Sequence, residues 1–193
     1  MSDRPLRILV GITGASGAAI GVRALEQLRD AGVETHLVVT AAAATVANLE
    51  TGLTVDELAT RATHTWDDSD LTAPPASGTF ACDGMLVAPC SIRTLSAVAN
   101  CRSSSLLERA ADVTLKERRP LVLLVRETPL HPGHLRLMLD AATAGATIQP
   151  PVPAFYAGLD SLDDLIDQTA ARALVSVGVD VGVLRRWDGV QNR

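Results

Sequence analysis

The sequence predicts an α/β fold: a single-domain, doubly wound parallel sheet between two helical layers, arranged as a Rossmann-like three-layer sandwich. Short aliphatic runs alternate with helical stretches along the chain, which is the pattern that builds such a sheet. The 193 residues suffice for one domain and are too few for two ordinary ones. With 47% hydrophobic and 3% aromatic residues, the core is expected to consist of Ala, Val, Leu and Ile. Residues 1–193 are therefore expected to form one domain.

The individual elements follow from local patterns. Strands are predicted at 6–10, 35–39, 85–88, 121–125 and 146–148. Helices are predicted at 18–31, 41–50, 55–63, 92–100, 105–118, 133–144 and 162–177. Ligands of open α/β sheets bind at the carboxyl ends of the strands. The segments that follow the strands, 11–17, 40 onward, 89–94, 126–129 and 149–156, are therefore where a site is expected.

Charge and cysteine usage exclude several classes of function. A formal net charge of -5 does not provide the basic face that nucleic acids require, so no nucleic-acid partner is expected. The three cysteines, Cys82, Cys90 and Cys101, lie outside any C-x-x-C spacing. This spacing indicates neither a disulfide framework nor a zinc site, and it favours a reducing compartment.

The N-terminal segment does not have the pattern of a secretion signal. Arg4 and Arg7 precede the apolar run 8–10, but Gly11 and Thr13 interrupt that run at once. The longest apolar run, 121–125, is far shorter than the roughly 20 residues that span a bilayer. We therefore expect a cytoplasmic protein with no membrane contact.

A glycine-rich segment, 11–17, follows the first predicted strand and directly precedes a helix. Small residues allow close approach of a ligand, and the free N–H groups of a helix start attract an anion, so a phosphate site is the functional interpretation. The alternative is a tight turn without a ligand. The spacing matches neither G-x-G-x-x-G nor a P-loop, and Thr40 stands where a dinucleotide-binding fold usually places an acid, which disfavours NAD.

A second strand end, 89–94, carries hydroxyl groups at Ser91 and Thr94. These hydroxyls fit a second anion- or ring-binding turn, although Ser91 is equally an ordinary helix N-cap. Cys90 in this turn could be reactive or inert. After a later strand, Arg126 and Glu127 form either part of a site or a local salt bridge.

The helix predicted at 105–118 places Arg109, Asp112 and Lys116 on one face, at i, i+3 and i+7. The simple interpretation is a solvated face on which Asp112 pairs with Lys116. Two cations on one stripe also suit a phosphate. Lys116 is the single lysine among 17 basic residues, which favours a specific role for it.

The histidines give no independent indication of a metal site. His131 and His134 flank a helix start without a third ligand, so no metal is expected there. His36, inside a strand, is expected to be a packed or edge residue. His64 is expected at the surface.

Several motifs together resemble one family. GITGASG at 11–17, APPASG at 73–78, APCS at 88–91, the run 108–121, RETPL at 126–130 and PAFY at 153–156 resemble, in this order, the UbiX family of flavin prenyltransferases, which includes phenylacrylic acid decarboxylase-like flavoproteins. The resemblance covers nearly the whole chain. It implies a metal-independent, flavodoxin-like homo-oligomer, expected to be a dodecamer, that binds FMN. Such an enzyme joins a dimethylallyl group from dimethylallyl monophosphate to N5 and C6 of reduced FMN, and a UbiD-type decarboxylase uses the prenylated FMN.

The resemblance also implies roles for particular residues. Glu50, Lys116 and Ser16 match the family's catalytic positions, with Glu50 managing protons near N5. Eight residues match the flavin site: Gly14, Ala15, Ser16, Gly17, Thr40, Ser91, Thr94 and Arg126. Six match the prenyl phosphate site, partly across subunits: Ser77, Arg109, Lys116, Tyr156, Arg172 and Trp187.

The chain departs from the family pattern at three places. Thr40 is followed by three alanines where relatives often have Ser-Lys-Ala-Ala, Ser104 and Ser105 replace a turn asparagine, and Leu71 replaces an aromatic residue found in some relatives. Two other functions remain as alternatives. One is a carrier that delivers FMN to a decarboxylase without prenylating it, and the other is a flavin-dependent cysteine decarboxylase relative.

Overall fold

The computed structural model describes residues 4–189 and contains one sheet of six parallel strands. The strands are β1 (Arg7–Ile12), β2 (Glu34–Val39), β3 (His64–Asp67), β4 (Gly84–Cys90), β5 (Leu121–Val125) and β6 (Thr147–Ile148). Their spatial order is β3-β2-β1-β4-β5-β6. The predicted doubly wound parallel sheet is thus confirmed.

Seven α-helices cover the two faces of the sheet. They are α1 (Ala18–Asp30), α2 (Ala41–Thr51), α3 (Val55–Ala59), α4 (Ile92–Ala99), α5 (Leu106–Lys116), α6 (Pro132–Thr143) and α7 (Leu162–Val177). Helices α1, α2, α3 and α7 pack on one face, and α4, α5 and α6 pack on the other. Within residues 4–189, no helix is both long and apolar enough to cross a membrane.

The central strands are buried on both faces, which explains their uninterrupted aliphatic sequences. Every residue of β4 and β5 is buried, and so are five of the six residues of β1. Small side chains between these strands and the helices allow close packing, since Ala18, Ala24, Ala43 and Ala111 are fully buried. The low aromatic content is therefore compatible with a dense core.

One edge of the sheet differs from the prediction. The helix expected at 55–63 ends at Ala59, and the residues from His64 onward form β3, a strand that the sequence did not predict. The strand is short and mostly exposed, so it lacks the aliphatic run that marks a buried strand. It is held by pairing with β2 and by the stacking of His64 on His36, with ring centroids 4.8 Å apart.

The order of the strands creates a crevice at the carboxyl edge of the sheet. From β1 the chain turns into α1 on one face, whereas from the neighbouring β4 it turns into α4 on the other face. Such a topological switch point is where open α/β sheets bind ligands. Strands β1 and β4 each extend two residues beyond their predicted ends, to Ile12 and Cys90. The loops at the crevice are correspondingly shorter than predicted.

Candidate functional site

Two glycines shape the loop between β1 and α1. Gly17 is the N-cap of α1 and has a φ of 105°, a left-handed conformation that favours glycine. At Gly14, an added Cβ would lie 2.5 Å from the Cβ of Ala42, near the start of α2. The loop therefore packs directly against α2, which brings the last turn of α2 beside the start of α1.

The carboxylate of Glu50, in that last turn, occupies the N-terminus of α1. The backbone N–H groups of Gly17 and Ala18 each donate to Oε2 of Glu50 at 2.9 Å, and the Ser16 hydroxyl donates to the same carboxylate. Sequence analysis predicted a phosphate at these N–H groups. In the structure the anion is the protein's own carboxylate, because Glu50 lies 33 residues along the chain on a helix that returns to the loop.

The surroundings of Glu50 keep it ionised. Partial burial alone would raise its pKa, but donation from Ser16, Gly17 and Ala18 and the positive charge of Arg126 outweigh burial, so the pKa lies below its ordinary value. Glu50 is therefore a carboxylate at neutral pH. It is an acceptor that orders the loop, and it has direct contact with the Ser16 hydroxyl through which a proton can pass.

Two hydroxyl residues predicted for the flavin site cap helices at the carboxyl edge of the sheet. Ser91 accepts a hydrogen bond from the Thr94 N–H at 3.3 Å and caps α4, so its interpretation as an N-cap is confirmed. Thr40 accepts from the Ala43 N–H at 3.2 Å and caps α2. Thr40 also lines a cavity of about 390 Å³, together with residues that include Ser104 and Ser105.

Arg126 follows β5 and lies beside the Ser91 turn, because its N–H donates to the Cys90 carbonyl at 3.0 Å. The Glu127 carboxylate accepts from the Thr128 N–H, and the local salt bridge with Arg126, one of the two alternatives, does not form. The Arg126 side chain is exposed, and its charge acts on Glu50. Cys90 is fully buried, and burial raises the pKa of its thiol to about 12, so it is inert at neutral pH.

A second group of predicted residues, Ser77, Arg109 and Lys116, lies along α5. The Arg109 guanidinium donates to the Ala76 carbonyl at 3.1 Å, which ties α5 to the loop that carries Ser77. Lys116 forms an ion pair with the neighbouring Glu117, whereas the Arg109 guanidinium forms an ion pair with the Asp112 carboxylate, with an N–O distance of 2.6 Å.

The expected pairing of Asp112 with Lys116 is therefore wrong, because the guanidinium one turn earlier in α5 reaches Asp112 first. Lys116 keeps only an exposed partner at the end of the helix. An exposed ion pair of this kind contributes little stability, so Lys116 is available to an anionic ligand.

A third group lies around α7. Tyr156 and Arg172 line a cavity of about 160 Å³ whose other polar residues are Gln149, Gln168, Thr169 and Arg185. Trp187 packs edge-on against Tyr156, with ring centroids 5.5 Å apart and planes inclined by 75°. Both aromatic side chains are more than half exposed, which leaves one face of the pair open to solvent.

The fold separates these groups within one chain. Helices α5 and α7 pack on opposite faces of the sheet. Lys116 ends α5 just before β5 begins, at the amino edge, where the Met85 N–H donates to the Pro120 carbonyl. Glu50 lies at the carboxyl edge, so a strand length of roughly 15–20 Å separates Lys116 from it. A single chain therefore does not bring Lys116 to Glu50.

Sequence analysis missed a cluster at the edge of the sheet. In the described part of the chain, Glu34, His36 and His64 are the one set of three potential metal ligands, with donor atoms within 4.8 Å of one another. Trp66 donates to Nδ1 of His36 at 3.1 Å, which places the ring proton on Nε2, 2.9 Å from Glu34. Arg7 donates twice to Glu34, at 2.9 and 3.1 Å.

These hydrogen bonds already occupy the metal-binding atoms of His36 and Glu34, so the cluster is a hydrogen-bonded network. The expectation that His36 is a packed residue is confirmed, since it is 2% exposed. No sequence signal could reveal the cluster, because His64 reaches His36 only through the unpredicted strand β3. Within residues 4–189, His131 and His134 have no third metal-binding side chain beside them, and their rings are tilted by 36° with centroids 3.7 Å apart.

His36 makes the stability of the protein sensitive to mild acid. Burial lowers the pKa of His36 below its ordinary 6.5, and the charges of His64 and Arg7 act in the same direction, against the hydrogen bond to Glu34. The unfolded chain therefore binds this proton more tightly. The contribution of neutral His36 to stability is present above about pH 6.5, and it is lost as the pH falls through the pKa that His36 has in the folded protein.

We expect the thermal midpoint to decrease as the pH is lowered from about 7.5 to about 5.5. The decrease is expected to be smaller in His36→Gln, since Gln keeps both hydrogen bonds and does not titrate. Differential scanning calorimetry measures the thermal midpoint of the parent and of His36→Gln across this pH range. Equal slopes for the parent and His36→Gln would assign the sensitivity to other groups. Carboxylates with lowered pKa values, such as Glu34 and Asp83, lose their contributions at lower pH.

The fold and the loops at the switch point define a flavodoxin-like α/β protein. Residues 1–173 match the model of the Flavoprotein family. A flavin prenyltransferase UbiX from Thauera aromatica is 50% identical over 188 residues, covering 97% of each chain. The flavin prenyltransferase UbiX of Escherichia coli strain K12 is 52% identical over 186 residues, covering 95% of this chain and 98% of the relative.

A solved structure agrees with these relatives. The crystal structure of AnUbiX (PadA1) in complex with FMN and dimethylallyl pyrophosphate superposes with a TM-score of 0.95 at 46% identity, covering 97% of this chain and 100% of that one. The chain belongs to the Flavoprotein family and, within it, to the UbiX-type flavin prenyltransferases. The family resemblance of the sequence motifs is thus confirmed.

Proposed function

We propose that this chain acts as a single flavoprotein domain that joins the dimethylallyl group of dimethylallyl monophosphate to N5 and C6 of reduced FMN. The observation that carries the proposal is the Glu50 carboxylate, held ionised at the start of α1 and in contact with Ser16 at the switch point. Flavin, when bound, supplies the electron-rich ring that the prenyl group alkylates. The prenylated product would then pass to a UbiD-type decarboxylase.

The residues at the switch point fit a flavin. Gly14 and Gly17 carry no side chain, which lets the loop pack directly on Ala42 of α2 and leaves room for a ligand to approach the backbone at Gly17. Thr40, Ser91 and Thr94 provide hydroxyl groups at the helix starts, and Arg126 provides a cation for the phosphate or the polar ring edge. Ala15 and Ser16 complete the loop that would face the ring.

The chemistry requires positive charge at the leaving phosphate. Cleavage of an allylic phosphate separates charge, so cations and a phenol aimed at that phosphate stabilise the transition state more than the ground state. Arg109, Lys116, Arg172 and Tyr156 supply these groups. Trp187, packed against Tyr156, offers an aromatic face for the allylic cation, and Ser77 would line the same pocket.

We propose that these groups meet across subunits of a homo-oligomer. Lys116 lies at the amino edge of the sheet of its own chain, and α5 and α7 cover opposite faces of that sheet. One chain therefore cannot bring together all the residues that are proposed to bind the prenyl phosphate. A dodecameric FMN-dependent UbiX-like decarboxylase from Escherichia coli O157:H7 superposes with a TM-score of 0.92 at 42% identity, covering 95% of this chain and 100% of that one. A dodecamer is accordingly the assembly we propose for this chain.

Replacing Gly17 by Val is expected to abolish FMN binding. A β-branched side chain is strained at a φ of 105°, and the shift that relieves the strain displaces the N–H groups bound to Glu50. Gly145→Val is a matched control. Gly145 has a φ of 111° and a similarly open environment, but lies between α6 and β6 at the opposite edge of the sheet.

Fluorescence titration measures the FMN affinity of both glycine variants, and the thermal midpoint of each variant is recorded as well. We expect similar losses of thermal stability and a loss of flavin affinity in Gly17→Val alone. Equal FMN affinity of Gly17→Val and the parent would place the flavin elsewhere.

The proposed reaction is tested by phosphate release. Under anaerobic conditions, the protein with reduced FMN and dimethylallyl monophosphate is expected to release one phosphate for each flavin consumed. A carrier protein would bind FMN and release none. Phosphate release that continues without flavin would identify a phosphatase instead of a prenyltransferase.

A further inference from the structure

Thr13 joins the two loops on either side of the switch point. Its backbone N–H and its hydroxyl both donate to the Pro89 carbonyl, at 3.3 and 2.7 Å. The Ser91 N–H in turn donates to the Thr13 hydroxyl at 2.8 Å. Thr13 is 1% exposed, and its hydroxyl acts as both donor and acceptor within the protein.

These hydrogen bonds begin where the sheet ladder ends. The pairing of β1 with β4 runs from Ile8 opposite Gly84 to Gly11 opposite Val87. Beyond that register, the two chains diverge towards helices on opposite faces. Thr13 carries the connection onward, and it is the residue through which the glycine loop holds the N-cap of α4.

We propose that Thr13 is a positioning residue that sets the distance between the Glu50-bound loop and the Ser91 turn. The inference rests on the proposed flavin function of these two loops. Thr13 itself would not touch the flavin, because it is buried and its hydroxyl is committed to Pro89 and Ser91. Losing the hydroxyl would leave the Ser91 N–H without its partner and allow the two loops to separate.

A threonine that matters only for stability would behave differently, and the chain offers a matched control. Thr35 is also 1% exposed, and its hydroxyl accepts from the Thr63 N–H at 2.9 Å. It lies near the start of β2, at the amino edge of the sheet and away from the flavin loops. Thr35→Val therefore removes a comparable, partly buried hydrogen bond without affecting the switch point.

The experiment compares FMN affinity and thermal midpoint for the parent, Thr13→Val, Thr13→Ser and Thr35→Val. Both valine variants are expected to lose stability, because each removes the acceptor of a partly buried backbone N–H. Thr13→Val is expected to raise the Kd for FMN about tenfold or more, because the lost hydrogen bonds join the two flavin loops. Thr13→Ser keeps the hydroxyl, and Thr35→Val changes a hydrogen bond away from these loops, so both are expected to keep the Kd within about twofold.

Four results would overturn the inference. Parental FMN affinity in Thr13→Val would overturn the positioning role of Thr13 and leave the proposed function intact. A loss of FMN affinity in Thr35→Val equal to that in Thr13→Val would have the same consequence. If Thr13→Val does not fold, Thr13→Cys, with a similar volume and only a weak S–H donor, decides the question: a raised Kd supports the positioning role, and a parental Kd overturns it. A parent protein that binds no FMN would overturn the proposed function and this inference together.

Discussion

Glu50→Gln slows flavin prenylation by about 10²- to 10⁴-fold, the usual effect of losing a positioned proton acceptor, and leaves FMN bound. The flavin must release protons as the new bonds form, and Glu50 is the carboxylate beside Ser16 at the switch point. Gln keeps an oxygen that accepts from Gly17 or Ala18, so the loop retains its shape. Stopped-flow spectra of reduced FMN with dimethylallyl monophosphate measure the rate.

A second carboxylate provides the control for this substitution. Glu57 also accepts from the backbone at a helix start, where the Thr54 N–H donates to its Oε2 at 2.8 Å in a capping box. Glu57→Gln removes a similar charge at the start of α3 and is expected to leave the rate unchanged. Parental progress curves in Glu50→Gln would remove Glu50 from the reaction.

Lys116→Ala reduces prenyl transfer by about 30- to 1000-fold, which corresponds to about 2 to 4 kcal/mol of transition-state stabilisation from one charged contact. Its affinity for FMN stays parental, because in the proposed site Lys116 neutralises the leaving phosphate and does not hold the flavin ring. Lys116→Arg retains the charge and is expected to recover part of the rate. Unchanged turnover in Lys116→Ala would leave Lys116 as no more than the partner of Glu117.

Mixed oligomers test whether Lys116 acts across a subunit boundary. Lys116→Ala and Arg172→Ala are each expected to be nearly inactive alone. When the two variants are co-expressed in equal amounts, about a quarter of the sites receive both native residues if these come from different subunits. Recovery of activity to about that level supports a shared site. No recovery would place both residues in a site formed by one chain.

The central sheet could be predicted from the sequence because burial on both faces requires continuous aliphatic runs. The runs that became β2, β4 and β5 were found for this reason. Strand β3 could not be found, because an exposed edge strand with the sequence HTWD carries no such signal. Its existence depends on pairing with β2 and on the stacking of His64 on His36, and both are tertiary contacts.

The loops of the site were predictable, but their connections were not. The glycine loop and the Ser91 turn follow strands and carry local signals. No local pattern shows that Glu50 returns to cap α1 from 33 residues away, or that Thr13 reaches Ser91 across 78 positions. The position of Lys116 at the far edge likewise depends on the direction of α5. The family resemblance therefore named residues that the fold of one chain keeps apart.

Mass spectrometry of the flavin, after anaerobic incubation of the protein with reduced FMN and dimethylallyl monophosphate, tests prenylation most directly. We predict a flavin that is heavier by one isoprene unit. The saturated isopentyl monophosphate, which cannot form an allylic cation, is the matched control and is expected to give unmodified FMN. Unmodified FMN recovered with the allylic donor, from protein that had bound it, would contradict prenyltransferase activity and indicate a flavin carrier.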